Sequence, residues 1–442
     1  MSTWWCEHAW LPHGVVERVR VSAGPDGTVS EVRWGVEAKP GDILLDGLVL
    51  PGFANTHSHA FHRALRGRTH SVGSSFASWR ERMYYLAARL DPDTYCQLAT
   101  AVFAEMALAG VSCVGEFHYL HHSVGGARYG DPNAMGAALR EAARRAGIRL
   151  TLLDTVYVSG GIGVPLEGVQ RRFDDGDAEG WADRVSMITE DDRFRVGAAI
   201  HSVRAVPADQ VADIVAATER DDDLPRPLHI HLSELPSENA ACLAAYGMTP
   251  TRLFSECGAL GPSTTAVHAT HLTADDVALL GALQATVCAY PTTEGDLGDG
   301  IGPVRDLATA GSPICLGTDQ HATVDLLEEA RCLEIHERLA TRQRVRFSVA
   351  SLVEAMTSSG HAALGWPEAG RIAVGAPADL VALSLDTVRT VGTMPEQAVL
   401  SANASDIHTV VVGGRTIVED GRHLVLGDVA SLLGAAVTAA WS

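Results

Sequence analysis

Residues 45–59 read LDGLVLPGFANTHSH, an apolar stretch that ends in two histidines, His57 and His59. The run Leu45–Phe53 predicts a buried β-strand, and the polar residues after it predict a loop at the carboxyl end of that strand. Two histidines at positions i and i+2 of an extended chain point to the same side, so both imidazoles can reach one metal ion. Core packing explains many such pairs, so the meaning of this pair depends on the residues at the ends of the later strands.

Seven further β-like runs come after it, and helical stretches separate most of them. Two of these stretches, Thr94–Ala109 and Ala134–Ala146, are rich in strong helix formers and have apolar residues at helical spacing. Strands that alternate with helices predict a parallel sheet, because a parallel pair needs a crossover connection. Eight such units predict a (β/α)₈ barrel. The seven runs are Val111–Phe117, Arg149–Val158, Phe194–His201, Pro227–Leu232, Thr265–His268, Ala285–Tyr290 and Pro313–Asp319.

The two ends of the chain have a different pattern, with short alternating runs separated by turn residues. These runs are Val15–Val21, Val29–Val36, Asp379–Leu385, His408–Val412 and Thr416–Val418. We therefore predict the α/β class, with a (β/α)₈ TIM-type barrel and a small β-sandwich domain built from both termini. The predicted boundaries are 51–366 for the catalytic barrel and 1–50 with 367–442 for the β-sandwich domain.

Three later strand ends also carry polar residues that suit a metal site. The fifth strand contains His229 and His231, both facing inward by alternation, and Glu234 follows in the loop; the sixth ends at His268 and the eighth at Asp319. Taken singly, each residue is explained as a polar cap on a strand end. Taken together with the first strand, they predict three nitrogens and one oxygen around a divalent metal, with an open position for water. Glu234 and His268 would lie beside that water.

The charged residues exclude several other classes of protein. Lys39 is the only lysine among 34 basic residues, so a P-loop lysine, a Schiff-base lysine or a lysine-derived metal ligand is hard to build. The formal charge of -20 disfavours binding to nucleic acid or to an anionic membrane. We see no basic-then-apolar leader and no 18-residue apolar run, so we expect a cytoplasmic protein.

The order H-x-H, His, His and Asp along eight strands, with a β domain from both termini, resembles the amidohydrolase superfamily. The metal-bridging subgroups of that superfamily usually carry a carboxylated lysine at the end of the fourth strand, where this chain has His201. The resemblance is therefore to the branch of deaminases that hold a single metal ion.

Longer stretches are similar to the formimidoylglutamate deiminase family within that branch. The similar stretches are LPGFANTHSHAF (50–61), FASWRERMY (76–84), EFHYLHH (116–122), HSVRAV (201–206), HATH (268–271) and EGDLGDG (294–300). The chain also departs from the family in two places. His62 stands where glutamine is common in the substrate pocket, and residues 318–321 read TDQH where Ser-Asp-Ser-His is common.

This resemblance implies hydrolysis of N-formimino-L-glutamate to N-formyl-L-glutamate and ammonia, a step of histidine degradation. It implies one zinc ion, or another divalent ion, held by His57, His59, His231 and Asp319. Glu234, His268 and Asp319 would be the catalytic residues. The expected partners are a small dicarboxylate substrate and a second copy of the chain in a homodimer. The substrate contacts would come from His62, Arg80, Tyr119, His201 and Arg204.

The chemistry of these residues is consistent with that activity, although two alternatives stay open. Glu234 can take a proton from the attacking water, and the planar guanidinium groups of Arg80 and Arg204 suit the two carboxylates of the substrate. One alternative is a related aminohydrolase for a ring amidine such as guanine, with an aromatic pocket and no pair of carboxylate-binding arginines. The other is an inactive binding or scaffold protein, which the loss of a metal ligand would indicate.

Overall fold

The computed structural model of the protein describes residues 2–70, 76–219 and 225–442. These residues form two eight-stranded sheets. In chain order the strands are β1 (Ser2–Leu11), β2 (Gly14–Ala23), β3 (Val29–Arg33), β4 (Ile43–Pro51), β5 (Phe53–Ser58), β6 (Val111–His118), β7 (Arg149–Val156), β8 (Phe194–Ile200), β9 (Leu228–Leu232), β10 (Thr264–His268), β11 (Thr286–Ala289), β12 (Ile314–Leu316), β13 (Leu380–Leu383), β14 (Ile407–Val412), β15 (Arg415–Glu419) and β16 (Arg422–His423).

Helices connect most of the strands of the second sheet. They are α1 (Phe76–Ala87), α2 (Pro92–Leu108), α3 (Ala134–Ala146), α4 (Ala178–Ser186), α5 (Ala208–Ala216), α6 (Pro236–Tyr246), α7 (Pro250–Glu256), α8 (Ala274–Ala282), α9 (Pro291–Leu297), α10 (Val304–Ala310), α11 (Leu326–Thr341), α12 (Val349–Met356), α13 (Ser358–Ala363) and α14 (Val429–Trp441). Within the three described ranges, no helix is both long enough and apolar enough to span a membrane.

Strands β5 to β12 form a parallel barrel in which each strand lies beside its neighbours in the sequence. A parallel bridge between Ser58, at the end of β5, and Asp319, after β12, joins the first strand to the last. The predicted (β/α)₈ barrel is therefore confirmed. Because the strands are parallel, their carboxyl ends meet at one face, which is where barrels of this kind carry their functional groups.

Local signals in the sequence explain where the crossover helices begin and end. The Asp91 side chain caps α2 by accepting a hydrogen bond from the Thr94 amide, and Pro92 occupies the first helical position, where no amide hydrogen is needed. Helix α3 ends at Gly147, whose φ of 78° is a left-handed conformation that glycine adopts without strain. Each signal fixes the point at which the chain turns into the next strand.

The predicted first barrel strand, Leu45–Phe53, was wrong. In the structure Ile43–Pro51 belongs to the other sheet as β4, and the barrel begins at Phe53. Gly52 separates the two strands and donates its amide hydrogen to the Asp379 carbonyl at 3.0 Å. A Cβ atom at Gly52 would lie 2.4 Å from the Ser112 hydroxyl, so the close approach requires glycine. An apolar run has the same sequence pattern whichever sheet buries it. Its periodicity therefore does not indicate that the chain passes from one sheet to the other at Gly52.

The other sheet joins both ends of the chain, as predicted. Its strand order is β16-β15-β14-β13-β4-β1-β2-β3, in one hydrogen-bonded sheet. Strand β4 is the junction, because it pairs in parallel with β1 and antiparallel with β13. The division at residues 50/51 and 366/367 stays a prediction.

A buried ion pair links this sheet to the barrel. Arg149, the first residue of β7, donates hydrogen bonds to the carboxylate of Asp379, which directly precedes β13. Asp379 Oδ1 also accepts the amide hydrogen of Gly413 at 2.7 Å. Both charged side chains are almost fully buried, so each one supplies the counter-charge and the hydrogen-bond partner that water would otherwise supply to the other.

Candidate active site

Four buried side chains at the carboxyl ends of the barrel strands converge on one point. The side chains of His57, His59, His231 and Asp319 each offer one ligand atom, and these four atoms all lie within 4.8 Å of one another. The Nε2 atoms of His57 and His59 are 3.1 Å apart, and they lie 3.4 and 3.3 Å from Asp319 Oδ1. The other inward histidine, His229, has its Nε2 atom 3.2 Å from the Ala363 carbonyl oxygen.

The donor set of this group fits a divalent metal. The Nδ1 atoms of His59 and His231 lie 3.0 and 2.9 Å from the carbonyl oxygens of Phe117 and His201, which can only accept hydrogen bonds. Nδ1 therefore carries the hydrogen in both rings, and the Nε2 lone pairs face the group. Nitrogen lone pairs this close repel one another unless a cation lies among them. Three imidazoles and one carboxylate are a common ligand set for zinc.

The backbone is strained where it delivers these residues. Ser233, His268, Ala269 and Asp319 have φ angles of 52°, 66°, 54° and 40°, in the left-handed region that favours glycine. All four follow or end strands β9, β10 and β12. Strain of this kind concentrates at functional sites, where the surrounding structure holds a conformation that the chain alone would avoid.

Glu116 fixes the loop that carries His59. This carboxylate lies within β6 and accepts hydrogen bonds from the Ser58 hydroxyl and the Ala60 amide, both at 2.6 Å. Burial raises the pKa of Glu116 to about 8, against the opposing effect of these donors. In the sequence Glu116 belongs to a stretch that is similar to the family, and no role was predicted for it. The available signal was a single carboxylate within an otherwise apolar strand.

A second set of hydrogen bonds closes the barrel beneath His57, His59, His231 and Asp319, which we call the metal group. Asn55 Nδ2 donates to Thr318 Oγ1 at 2.7 Å, and the Thr318 amide donates to Asn55 Oδ1 at 2.9 Å. His321 lies between the two ends, with its Nδ1 2.9 Å from Thr318 Oγ1 and its Nε2 3.1 Å from Ser58 Oγ. We call the reciprocal Asn55–Thr318 pair the closing pair.

Glu234 and His268 lie beside the metal group, and Arg204 lies behind Glu234. Glu234 Oε1 is 4.0 Å from His268 Nε2, and Glu234 Oε2 is 3.4 Å from an Arg204 Nη atom. Burial raises the pKa of the Glu234 carboxyl, and the Arg204 guanidinium partly opposes the rise. Arg204 Nε also lies 3.8 Å from Glu238 Oε2. Arg204 is therefore already held between two carboxylates, an arrangement that the sequence did not predict.

The five residues predicted to contact a substrate all line one cavity with the metal group: His62, Arg80, Tyr119, His201 and Arg204. His62 Nε2 lies 2.9 Å from the Tyr119 hydroxyl oxygen. Burial lowers the pKa values of His62 and His201 well below the ordinary histidine value, so both rings are neutral. Arg80 lies on α1 at the exposed rim of the cavity. These roles stay predictions.

Aromatic side chains that sequence analysis did not single out form much of the cavity wall. They are Trp79, Tyr84, Tyr157 and Phe173. Trp79 Nε1 donates to Gln320 Oε1 at 3.0 Å, which links α1 to the loop after β12. Little in the sequence indicates this wall, because its members come from separate segments that meet only in the folded chain.

A second buried cluster has the spacing of a metal site but not its chemistry. Ligand atoms of His118, His121 and Asp154 also lie within 4.8 Å of one another. However, both oxygens of Asp154 accept hydrogen bonds from Arg184, at 2.7 and 2.9 Å, and one also accepts from Trp181 Nε1. The carboxylate already neutralises a buried guanidinium, so this cluster is a structural network between β6, β7 and α4.

Comparisons with known proteins agree with this geometry. A model of the amidohydrolase family matches residues 48–417. The chain is 36% identical to formimidoylglutamate deiminase from Pseudomonas aeruginosa, covering 96% of each chain, and 29% identical to 8-oxoguanine deaminase from the same organism, covering 85% of this chain and 83% of the relative. A crystal structure of an amidohydrolase from Brucella melitensis superposes with a TM-score of 0.91 at 29% identity, over 100% of both chains.

Proposed function

This chain belongs to the amidohydrolase family, and from that premise we propose that it hydrolyses N-formimino-L-glutamate to N-formyl-L-glutamate and ammonia. Its relatives are deaminases, so the chain is a hydrolase that acts on C–N bonds. The observation that carries the finer assignment is one cavity that holds both the metal-ligating group and two arginines. An amidine that bears two carboxylates needs both features.

The proposed metal is one zinc ion per chain, held by His57, His59, His231 and Asp319, although other divalent ions fit the same donors. When bound, such an ion supplies Lewis acidity, which makes water acidic enough to act as a nucleophile near neutral pH.

Glu234 is the proposed proton carrier. In the proposed reaction the water oxygen forms a bond to the formimino carbon, and Glu234 accepts the proton that this water loses. Glu234 passes this proton to the terminal nitrogen. The new hydroxyl group then gives up its own proton, which Glu234 also passes to that nitrogen as the bond between the carbon and the nitrogen breaks, so a formyl carbonyl remains and ammonia leaves. His268, 4.0 Å from Glu234 and neutral because burial lowers its pKa, would orient the reacting groups by hydrogen bonding.

The remaining cavity residues would hold the glutamate part of the substrate. His62, Tyr119 and His201 are neutral hydrogen-bonding groups in the cavity, and Arg80 and Arg204 supply positive charge in the same cavity. In a molecule with a formal charge of -20, a dianion must be captured by such local charges.

The test is an ammonia-release assay on N-formimino-L-glutamate with zinc-loaded enzyme, alongside guanine, 8-oxoguanine and adenosine. We expect the formimino compound to be the best substrate by kcat/KM, with about one metal ion per chain by elemental analysis. A larger kcat/KM for one of the ring compounds would contradict the proposed substrate. Two ions per active site would contradict the proposed centre.

The alternative, a deaminase for a ring amidine, has one specific observation in its favour. The cavity wall is aromatic, with Trp79, Tyr84, Tyr119, Tyr157 and Phe173, as stacking on a purine-like ring requires. The same wall also carries Arg80 and Arg204, and a neutral ring has no need of these charges. The ammonia-release assay separates the two functions.

The expectations about partners and location also stay proposals. We propose a homodimer that binds a small dicarboxylate, does not bind nucleic acid or membranes, lies in the cytoplasm and acts in histidine degradation. Light scattering on the purified chain tests the dimer directly.

A further inference from the structure

Three side chains with no role in the proposed mechanism meet at the outer wall of the active-site cavity. Tyr84 lies on α1, Tyr157 follows β7, and Gln170 lies in the short helical turn at residues 168–172. Gln170 Nε2 donates hydrogen bonds to the hydroxyl oxygens of Tyr84 and Tyr157, each at 3.1 Å. The other amide atom, Gln170 Oε1, accepts from the Glu167 amide at 3.0 Å, and this contact fixes which way the side-chain amide points.

This trio has more hydrogen-bond donors than acceptors. The Gln170 NH₂ group supplies two hydrogens and cannot accept one, whereas each phenol supplies one hydrogen and can accept. If one phenol donates to the other, the second phenolic hydrogen still has no acceptor within the trio. Both phenols line the cavity, so that hydrogen is available to an acceptor that enters it. Burial raises the pKa of Tyr157, which keeps its hydrogen in place near neutral pH.

The position of the trio matches the far end of a substrate anchored at the metal group. The Tyr157 ring contacts the His201 ring, with centroids 4.5 Å apart, and the His201 ring lies 5.2 Å from that of the metal-ligating His231. Tyr157 is thus one ring further out than His201. Arg204 and Arg80 line the same cavity, and the Arg80 Cζ atom lies 5.9 Å from the centroid of the Tyr84 ring.

We propose that Tyr84, Tyr157 and Gln170 form a carboxylate-binding subsite, the phenol site, in which Gln170 positions the two phenols and the phenols contact the substrate. The proposal rests on the proposed function, because it assigns one carboxylate of N-formimino-L-glutamate to this wall. A carboxylate fits because it only accepts hydrogen bonds, whereas this wall offers donors and two cations. Gln170 is a positioning residue, since it touches the phenols and does not line the cavity.

Conservative variants test the contact. Tyr84→Phe and Tyr157→Phe each remove one hydroxyl, and we expect each to raise KM for N-formimino-L-glutamate about tenfold with kcat within about threefold. Gln170→Glu keeps the shape of the side chain and its acceptor for the Glu167 amide. It also draws the phenolic hydrogens away from the cavity, so we expect a larger rise in KM. Tyr85→Phe is the matched control, because Tyr85 lies on the same helix and its exposed ring stacks on Trp441.

Substrate analogues identify the group that is bound. Two analogues each keep one carboxylate: in one the α-carboxylate of N-formimino-L-glutamate is replaced by a neutral carboxamide, and in the other the γ-carboxylate is replaced. If the phenols contact a carboxylate, the tenfold effect of Tyr84→Phe and Tyr157→Phe on kcat/KM shrinks to below about threefold for one of the two analogues. The full effect on both analogues, or no effect on the parent compound, would overturn the proposal.

A binding measurement separates this proposal from the assignment of the reaction. Glutarate, a simple dicarboxylate, is titrated into the metal-loaded wild type and the Gln170→Glu and Tyr85→Phe variants by calorimetry. We expect weaker binding, by about tenfold or more, in Gln170→Glu alone. If the wild type binds glutarate in this way but does not turn over N-formimino-L-glutamate, the proposed reaction fails and the phenol site stands. Equal affinity in all three proteins would refute the phenol site whatever the substrate.

Discussion

At the scale of single residues, a 3.4 Å contact joins Glu234, the proposed proton carrier, to Arg204, a proposed substrate-binding residue. We expect Glu234→Gln to keep its metal and to lose at least about 10²-fold in kcat, because the amide cannot carry a proton. Steady-state kinetics with metal analysis checks this. Glu238→Gln, which removes the other carboxylate beside Arg204, is the matched control and should lose less than about tenfold in kcat. Near-normal turnover in metal-replete Glu234→Gln would remove Glu234 from its proposed role.

The two arginines of the cavity should behave differently, although the sequence made them equivalent. We expect Arg204→Met to lose about 2–4 kcal/mol of transition-state binding, or roughly 30- to 1,000-fold in kcat/KM, because it leaves a substrate carboxylate unpaired in a partly buried setting. Arg80 is exposed at the rim, where water competes for the same charge, so Arg80→Met should lose less than about fivefold.

Kinetics on N-formimino-L-glutamate and on an amidine without carboxylates tests this difference. We expect the second compound to be insensitive to Arg80→Met and to lose less than N-formimino-L-glutamate with Arg204→Met, whose remaining effect acts through the pKa of Glu234. Equal losses of kcat/KM in Arg80→Met and Arg204→Met would show that exposure of the two side chains to water does not determine how much each contributes to transition-state binding.

At the scale of secondary-structure elements, the closing pair holds the first barrel strand to the chain after the last one. Asn55→Leu removes both hydrogen bonds of the closing pair, so the buried Thr318 hydroxyl keeps only His321 and the Thr318 amide keeps only the His57 carbonyl at 3.2 Å. We expect the free energy of unfolding to fall by about 2–4 kcal/mol. Urea unfolding measures this change. Thr318→Val in a double-mutant cycle is the control, and the two losses should be non-additive by at least about 0.5 kcal/mol. Simple additivity would mean that the pair does not act as a unit.

The same elements show what the sequence could and could not predict. The barrel and a site of two histidines, a third histidine and Asp319 followed from local patterns, since alternation places His57 and His59, or His229 and His231, on one face of a strand. The choice of His231 over His229 came only from the resemblance to a family, because both face inward. The eighth barrel strand was predicted to run to Asp319, but β12 covers only Ile314–Leu316. Thr318 belongs to the closing pair and Asp319 has a left-handed φ, so the chain leaves the extended strand conformation at these residues. Contacts such as Gln170 with Tyr84 join distant segments, and periodicity does not report them.

At the scale of the whole molecule, the Arg149–Asp379 pair makes the stability depend on pH. Burial opposes ionisation, but the Arg149 guanidinium and its hydrogen bonds outweigh it and hold the pKa of Asp379 below the ordinary value of 3.8. A carboxyl whose pKa is lower in the folded state stabilises the protein above the unfolded-state pKa, and this contribution is lost as pH falls through the folded-state pKa.

We therefore expect Asp379→Asn to lower the free energy of unfolding by about 3–5 kcal/mol at pH 7, since it leaves a buried guanidinium without its counter-charge. The difference from the wild type should narrow as pH falls below about 4, where this carboxyl begins to bind a proton in the unfolded wild-type chain but not yet in the folded one. Urea unfolding at a series of pH values measures both effects, and the exposed Glu396→Gln should stay within about 0.5 kcal/mol throughout. A difference that is constant from pH 7 to pH 3 would contradict the assignment to this pair.

The pairing of β4 with β13 also sets an order of events during synthesis. Leu48–Pro51 must wait for Leu380–Leu383, which leave the ribosome roughly 330 residues later, or some tens of seconds at about 5–20 residues per second. During that interval β4 has a partner on one side only, and its apolar edge can recruit a neighbouring nascent chain. On polysomes that translate the mRNA of this protein, nascent chains should therefore associate most readily just before residue 380 emerges. A chain truncated after residue 375 should aggregate under conditions in which the full chain does not.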